Sequence, residues 1–132
     1  PLANPAGGDI TAPARENMEE VCRDCHSPRY VATLIEGGER MMGIARLKVG
    51  EAAAVLKGEK TYRREDRERL SQRLETMQGV TLRDLWRGIA HQSPDYQWWY
   101  GQAALDGDLL RLKAMVSRIR RQRELGITSG EP

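Results

Sequence analysis

The chain has 132 residues, 39% of them hydrophobic, a formal net charge of +2 and a mean hydropathy of −0.64. That length fits one domain or part of one, and so small a net charge argues against a general polyanion binder. No apolar run approaches the length of a membrane span, and no secretory leader is recognisable.

Residues 1–12 carry repeated Gly and Pro and read as an extended N-terminal arm. A short helix follows, with Thr11 as its N-cap, Pro13 in its first turn, and Met18 and Val21 facing whatever the next segment binds. That segment is Cys22-Arg23-Asp24-Cys25-His26. It has the C-x-x-C-H spacing at which two thiols bond to the vinyl groups of one porphyrin while the adjacent imidazole reaches the iron. Cys22 and Cys25 are the only cysteines. A structural zinc site would need further ligands nearby, and a thioredoxin-like pair would follow a strand in a βαβ pattern. Neither pattern is present, which leaves a covalent haem c as the expectation and a redox disulfide as its main rival.

Ser27-Pro28 is a helix start, and the apolar spacing from Val31 to Leu56 predicts a helix over 28–57. Gly37, Gly38 and Gly43 either weaken it locally or allow close packing on a haem or a neighbouring helix. A charged helix is expected over 63–77, with Leu70 and Leu74 as its narrow contact stripe and an interruption at Gln78-Gly79. Thr81 and Asp84 resemble a capping pair ahead of a short helix that ends near His91. Ser93-Pro94 starts the last helix. Its stripe of Trp98, Ala104, Leu105, Leu109, Leu112, Met115, Val116 and Ile119 runs to about Leu125, with Gly126 as the stop and a flexible tail at 127–132. Strand signals are missing. The fold class expected is all-α, with long antiparallel helices beside one covalently bound c-type haem over 13–126.

An electron-transfer haem takes a second axial ligand. His91 is the only histidine besides His26, and it lies at a helix-entry turn; a capping or core role is its structural alternative. Met41 and Met42 would give His/Met ligation, although adjacent methionines on a long helix usually pack. Trp86, Trp98 and Trp99 could edge the haem or mediate contacts, but core packing suits them better. Arg29, Arg40 and Arg46 suit a solvated face rather than haem propionates. Arg118, Arg120, Arg121 and Arg123 either complement the helix dipole or meet an acidic partner. They alternate too little with aromatics to suggest nucleic acid.

The stretch Asn17-Met18-Glu19-Glu20-Val21-Cys22-Arg23-Asp24-Cys25-His26-Ser27-Pro28-Arg29-Tyr30-Val31 resembles the last haem-binding segment of multihaem cytochromes c of the hydroxylamine oxidoreductase type. His91-Gln92-Ser93-Pro94-Asp95-Tyr96-Gln97-Trp98-Trp99-Tyr100-Gly101 is similar to that family's His…Pro-Asp-Tyr…Trp-His-Gly segment. The order of elements agrees over most of residues 13–125. The resemblance implies Cys22 and Cys25 as thioether positions, His26 as proximal ligand and His91 as distal ligand. Tyr100 stands where the family has a histidine, so no further haem ligand is implied there. Family members carry several haems, whereas this sequence has one attachment site. The chain is therefore expected to be the C-terminal part of a larger protein or a subunit that completes one. Its partners would be a multihaem chain or further haem domains, in an oligomer that could be trimeric. The implied assembly would oxidise hydroxylamine or hydrazine, or reduce nitrite, with no complete active site in this chain. Tyr96 or Tyr100 could be offered to a neighbouring haem, as oxidative members do with a tyrosine; packing beside the tryptophans is the alternative. Covalent haem and a start without Met imply a processed or partial chain and a periplasmic or otherwise extracytoplasmic setting. The alternatives are a small soluble His/Met electron carrier and a helical assembly module with a structural haem.

Overall fold

A computed structural model describes residues 11–58 and 62–126, and among these every regular element is helical. Helix α1 spans Thr11–Arg23, so residues 11 and 12 belong to a helix. The rest of the expected arm, 1–10, and the tail 127–132 lie outside the described residues. Helix α2 spans Pro28–Lys57. Ser27 caps it in extended geometry by accepting a hydrogen bond from the Tyr30 N–H, and Pro28 takes the first turn, where its missing N–H costs nothing.

Helices α3 (Arg64–Thr76) and α4 (Leu82–Ala90) form one helical course, joined by a π-helical turn at Met77–Thr81. The expected interruption at Gln78-Gly79 is therefore absent. The Leu82 N–H instead reaches five residues back to the Met77 carbonyl. Thr81 caps nothing: it lies inside the course, and its hydroxyl donates to Asp108 at 3.2 Å. One extra residue in a turn rotates everything after it by about a helical step, roughly 100°. Met77, Thr81, Leu82 and Leu85 all come to lie on the buried side.

After His91 the chain turns through Gln92, whose φ of +52° is in the left-handed region. Ser93 N–H donates to Gly88 O at 2.8 Å, closing the turn. Helix α5 (Pro94–Gln97) then leads through a second π-helical turn at Trp98–Gln102 into α6 (Ala103–Glu124), which stops with Gly126 at φ +66°. This π turn explains a departure from the expected stripe. Leu105, Leu109, Leu112 and Val116 are buried as expected, but Trp98, the first residue of the rephasing turn, is exposed, as is Trp99.

The course 64–90 runs antiparallel to its neighbours on both sides. Ile89 lies against Gly38, Leu85 against Gly101, and both Thr81 and Arg73 bond Asp108. The first and third long helices therefore run parallel, their register advancing together from Met41–Gln102 through Lys48–Asp106 to Glu51–Lys113. The core between them is built on Met42, Ala45, Ala52, Leu70, Met77, Leu85, Ile89, Leu105 and Leu112, with Trp86 packed at its edge. Gly38 is the glycine of α2 that a neighbour needs: a Cβ there would collide with Ile89, whereas Gly43 faces open space.

Candidate functional site

The last turn of α1 carries Cys22. The Cys22 carbonyl accepts from both the Cys25 N–H (3.3 Å) and the His26 N–H (2.9 Å), so one turn of backbone holds both thiols and the imidazole together. Neither cysteine is in a disulfide; Cys22 is half-buried and Cys25 exposed. His26 is exposed and lies against the Tyr30 ring, centroids 4.9 Å apart. Val21, Tyr30 and Leu34 are exposed around it, with Val31 and Ile35 buried on the neighbouring face of α2. The donor chemistry suits a covalently attached porphyrin: two free thiols one turn apart, a free imidazole in the following turn, and exposed apolar side chains beside it. Among the described residues no group of three or more His, Cys, Asp or Glu converges. A haem does not require one, because its macrocycle supplies the equatorial nitrogens.

Met42 is buried in the core and Met41 packs against it, with the Met41 carbonyl accepting from Gln102 Nε2 at 2.9 Å. Both methionines are engaged in packing on the long helix. Arg29, Arg40 and Arg46 are exposed, and Arg40 forms a long ion pair with Glu36 at 3.9 Å.

His91 closes α4, its N–H donating to Arg87 O at 2.9 Å. Its side chain is exposed and lines a cleft of about 390 Å³ with Asp84, Arg87, Gly88, Ser93 and Tyr96. Gly88 makes this hairpin: a Cβ there would stand 2.6 Å from Tyr96 Cβ and 2.8 Å from the Gln97 nitrogen. Gly101 does the same one turn on, 2.5 Å from Tyr96 O and 2.7 Å from Leu85 Cδ1. The antiparallel course returns His91 toward the end of the bundle that carries the cysteines. Among the described residues, however, no hydrogen bond, ring contact or shared cleft joins His91 to Cys22, Cys25 or His26. Ile89 meets α2 at Gly38, and the ten residues from Pro28 to Gly38 correspond to about 15 Å of helix.

Composition and periodicity alone missed the aromatic cluster beside this cleft. Tyr96, Trp98, Trp99 and Tyr100 are all exposed, Trp99 by 73%, and the Tyr96 and Tyr100 rings meet at 5.1 Å. Sequence reasoning favoured the core for Trp98 and Trp99; the π turn at Trp98–Gln102, where Gly101 packs closely on Tyr96 and Leu85, goes with their outward placement and leaves no mark in the composition.

No helix among the described residues is long and apolar enough to cross a membrane. Comparison with protein-family models, with curated proteins and with solved structures finds no match to this chain.

Proposed function

We propose that this chain is a c-type haem module that passes single electrons within a larger, extracytoplasmic multihaem oxidoreductase. The observation that carries this reading is the single backbone turn that groups two free thiols, Cys22 and Cys25, with the exposed imidazole of His26. Cys22 and Cys25 would anchor the porphyrin, and His26 would hold its iron from the proximal side. A bound haem c supplies reversible one-electron chemistry, its potential set by axial ligands and burial.

His91 is the proposed distal ligand. It is the remaining histidine, it faces a cleft, and it returns to the same end of the bundle. Two histidine ligands leave no open position on iron, so this module would transfer electrons without binding substrate. The buried position of Met42 and the packing of Met41 weigh against the His/Met alternative.

The resemblance supplies the larger context: an assembly acting on hydroxylamine, hydrazine or nitrite, with other haems on a partner chain or on further parts of the same protein. Exposed Tyr96, Trp98, Trp99 and Tyr100 supply the kind of aromatic surface that such a neighbour would cover. Tyr96 or Tyr100 is then available to a neighbouring haem, and peptide mass analysis of the native assembly would reveal such an adduct.

The test is His91→Gly in the haem-loaded chain. Loss of the distal imidazole converts a low-spin spectrum to a high-spin one; a low-spin spectrum unchanged by the substitution removes His91 from the iron.

A further inference from the structure

We propose that the groove between α3 and α6 is a docking site for an acidic segment of a partner protein. The groove has a volume of about 430 Å³ and is lined by Arg69, Gln72, Arg73, Thr76 and Met115. No carboxylate lines it. Beneath it lies Asp108, which is buried and saturated: Arg73 and Arg111 both reach Oδ1, at 3.3 and 3.5 Å, and Thr81 donates to Oδ2 at 3.2 Å. Arg118 continues the α6 rim, one turn beyond Met115 and two turns beyond Arg111. Arg73 and Arg111 thus share one carboxylate, while Arg69 lines the groove and Arg118 lies about 15 Å along α6 from Asp108. Among the described residues neither Arg69 nor Arg118 has an ion-pair partner.

The opposite side of α6 shows that this excess is local. Along the seam with α2, Lys48 meets Asp106 at 2.7 Å and Lys113 meets Glu51, a carboxylate for each ammonium. In the groove, Arg73 and Arg111 share one carboxylate, and among the described residues Arg69 and Arg118 have none. Guanidinium groups with free N–H donors recognise carboxylates in bidentate fashion.

Size and spacing favour a polypeptide segment over a single small anion. The cavity far exceeds the roughly 30 Å³ that a water molecule occupies in the liquid. Arg111 and Arg118 are seven residues apart, so the α6 rim offers positive charge over about 10 Å. Half-buried Met115 gives the lining an apolar surface between those charges. An acidic segment with an interspersed apolar residue matches all three features. This goes beyond the haem reading: the groove shares no residue with the cysteine turn or the His91 cleft.

The experiment is fluorescence anisotropy of the full chain with a labelled peptide of alternating glutamate and leucine, at several salt concentrations. The expected result is salt-sensitive binding, weakened at least about tenfold by the double variant Arg69→Glu/Arg118→Glu. A smaller loss is expected with Arg69→Gln, which leaves the Asp108 cluster intact should the double variant misfold by circular dichroism. Arg67→Glu and Arg83→Glu, exposed cations outside the groove, should bind as the parent does. Equal losses in those controls overturn the proposal, as does an absence of peptide binding. An oligonucleotide bound as tightly as the peptide, or inorganic phosphate displacing the peptide at equal concentration, overturns it too, showing a general polyanion surface or a small-anion site.

Discussion

The two ends of the helical bundle are built on different terms. From the middle of α2 to the C-terminal half of α6, the arginines of the α3–α6 groove aside, apolar side chains are sealed and most charged ones paired across elements. Leu70, Leu85, Leu105 and Leu112 are sealed, Asp108 has three partners, and Lys48 bridges to Asp106 and Gln102. At the cysteine end, Cys25, the two imidazoles and several aromatic rings are exposed, with Cys22 half-buried beside them. The first region specifies a fold. The second exposes reactive and apolar groups that a folded chain ordinarily buries or pairs, which is what a surface prepared for another molecule looks like.

The largest effect expected from breaking this contrast comes from Gly88→Val. The added side chain would run into the α5 backbone, with 2.7 Å to the Tyr96 carbonyl carbon from the Cβ alone. Overpacking of this kind should destabilise the fold by about 3 kcal/mol, read from the urea midpoint. Next is Asp108→Ala, which leaves the Thr81 hydroxyl buried without its acceptor and Arg73 and Arg111 unpaired. About 2 kcal/mol is expected, by the same measurement. The smallest effect belongs to the exposed aromatic surface. Trp99→Ser should change the stability of the isolated chain by no more than about 0.5 kcal/mol, because the ring is largely exposed. It should nevertheless weaken assembly with the proposed multihaem partner, measured by co-sedimentation of the two. A large loss of stability from Trp99→Ser would erase the distinction between the two ends.

Most of the helical pattern was legible in the residues. Ser27-Pro28 and Ser93-Pro94 open helices, Leu70 and Leu74 form the contact stripe of a charged helix, and Gly126 closes α6. The two π turns were not legible, because a π turn changes phase without changing composition. Gln78-Gly79 therefore looks like a break but is part of a continuous course, and Trp98 looks like core but faces outward. The candidate site divides in the same way. Cys22, Cys25 and His26 are local in sequence, so their grouping follows from one turn of backbone. The relation of His91 to them depends on where an antiparallel course ends along α2, which spacing alone does not fix. The α3–α6 groove was invisible for a related reason: its arginines come from two helices, and each helix alone reads as a solvated face.

The central claim, that Cys22 and Cys25 carry one covalent haem, is tested most directly by the intact mass of the chain produced in a bacterial host with cytochrome c maturation. The account predicts a mass raised by one haem, retained under denaturing conditions and lost in a Cys22→Ser/Cys25→Ser variant. An unmodified mass with both thiols still free to react would contradict it.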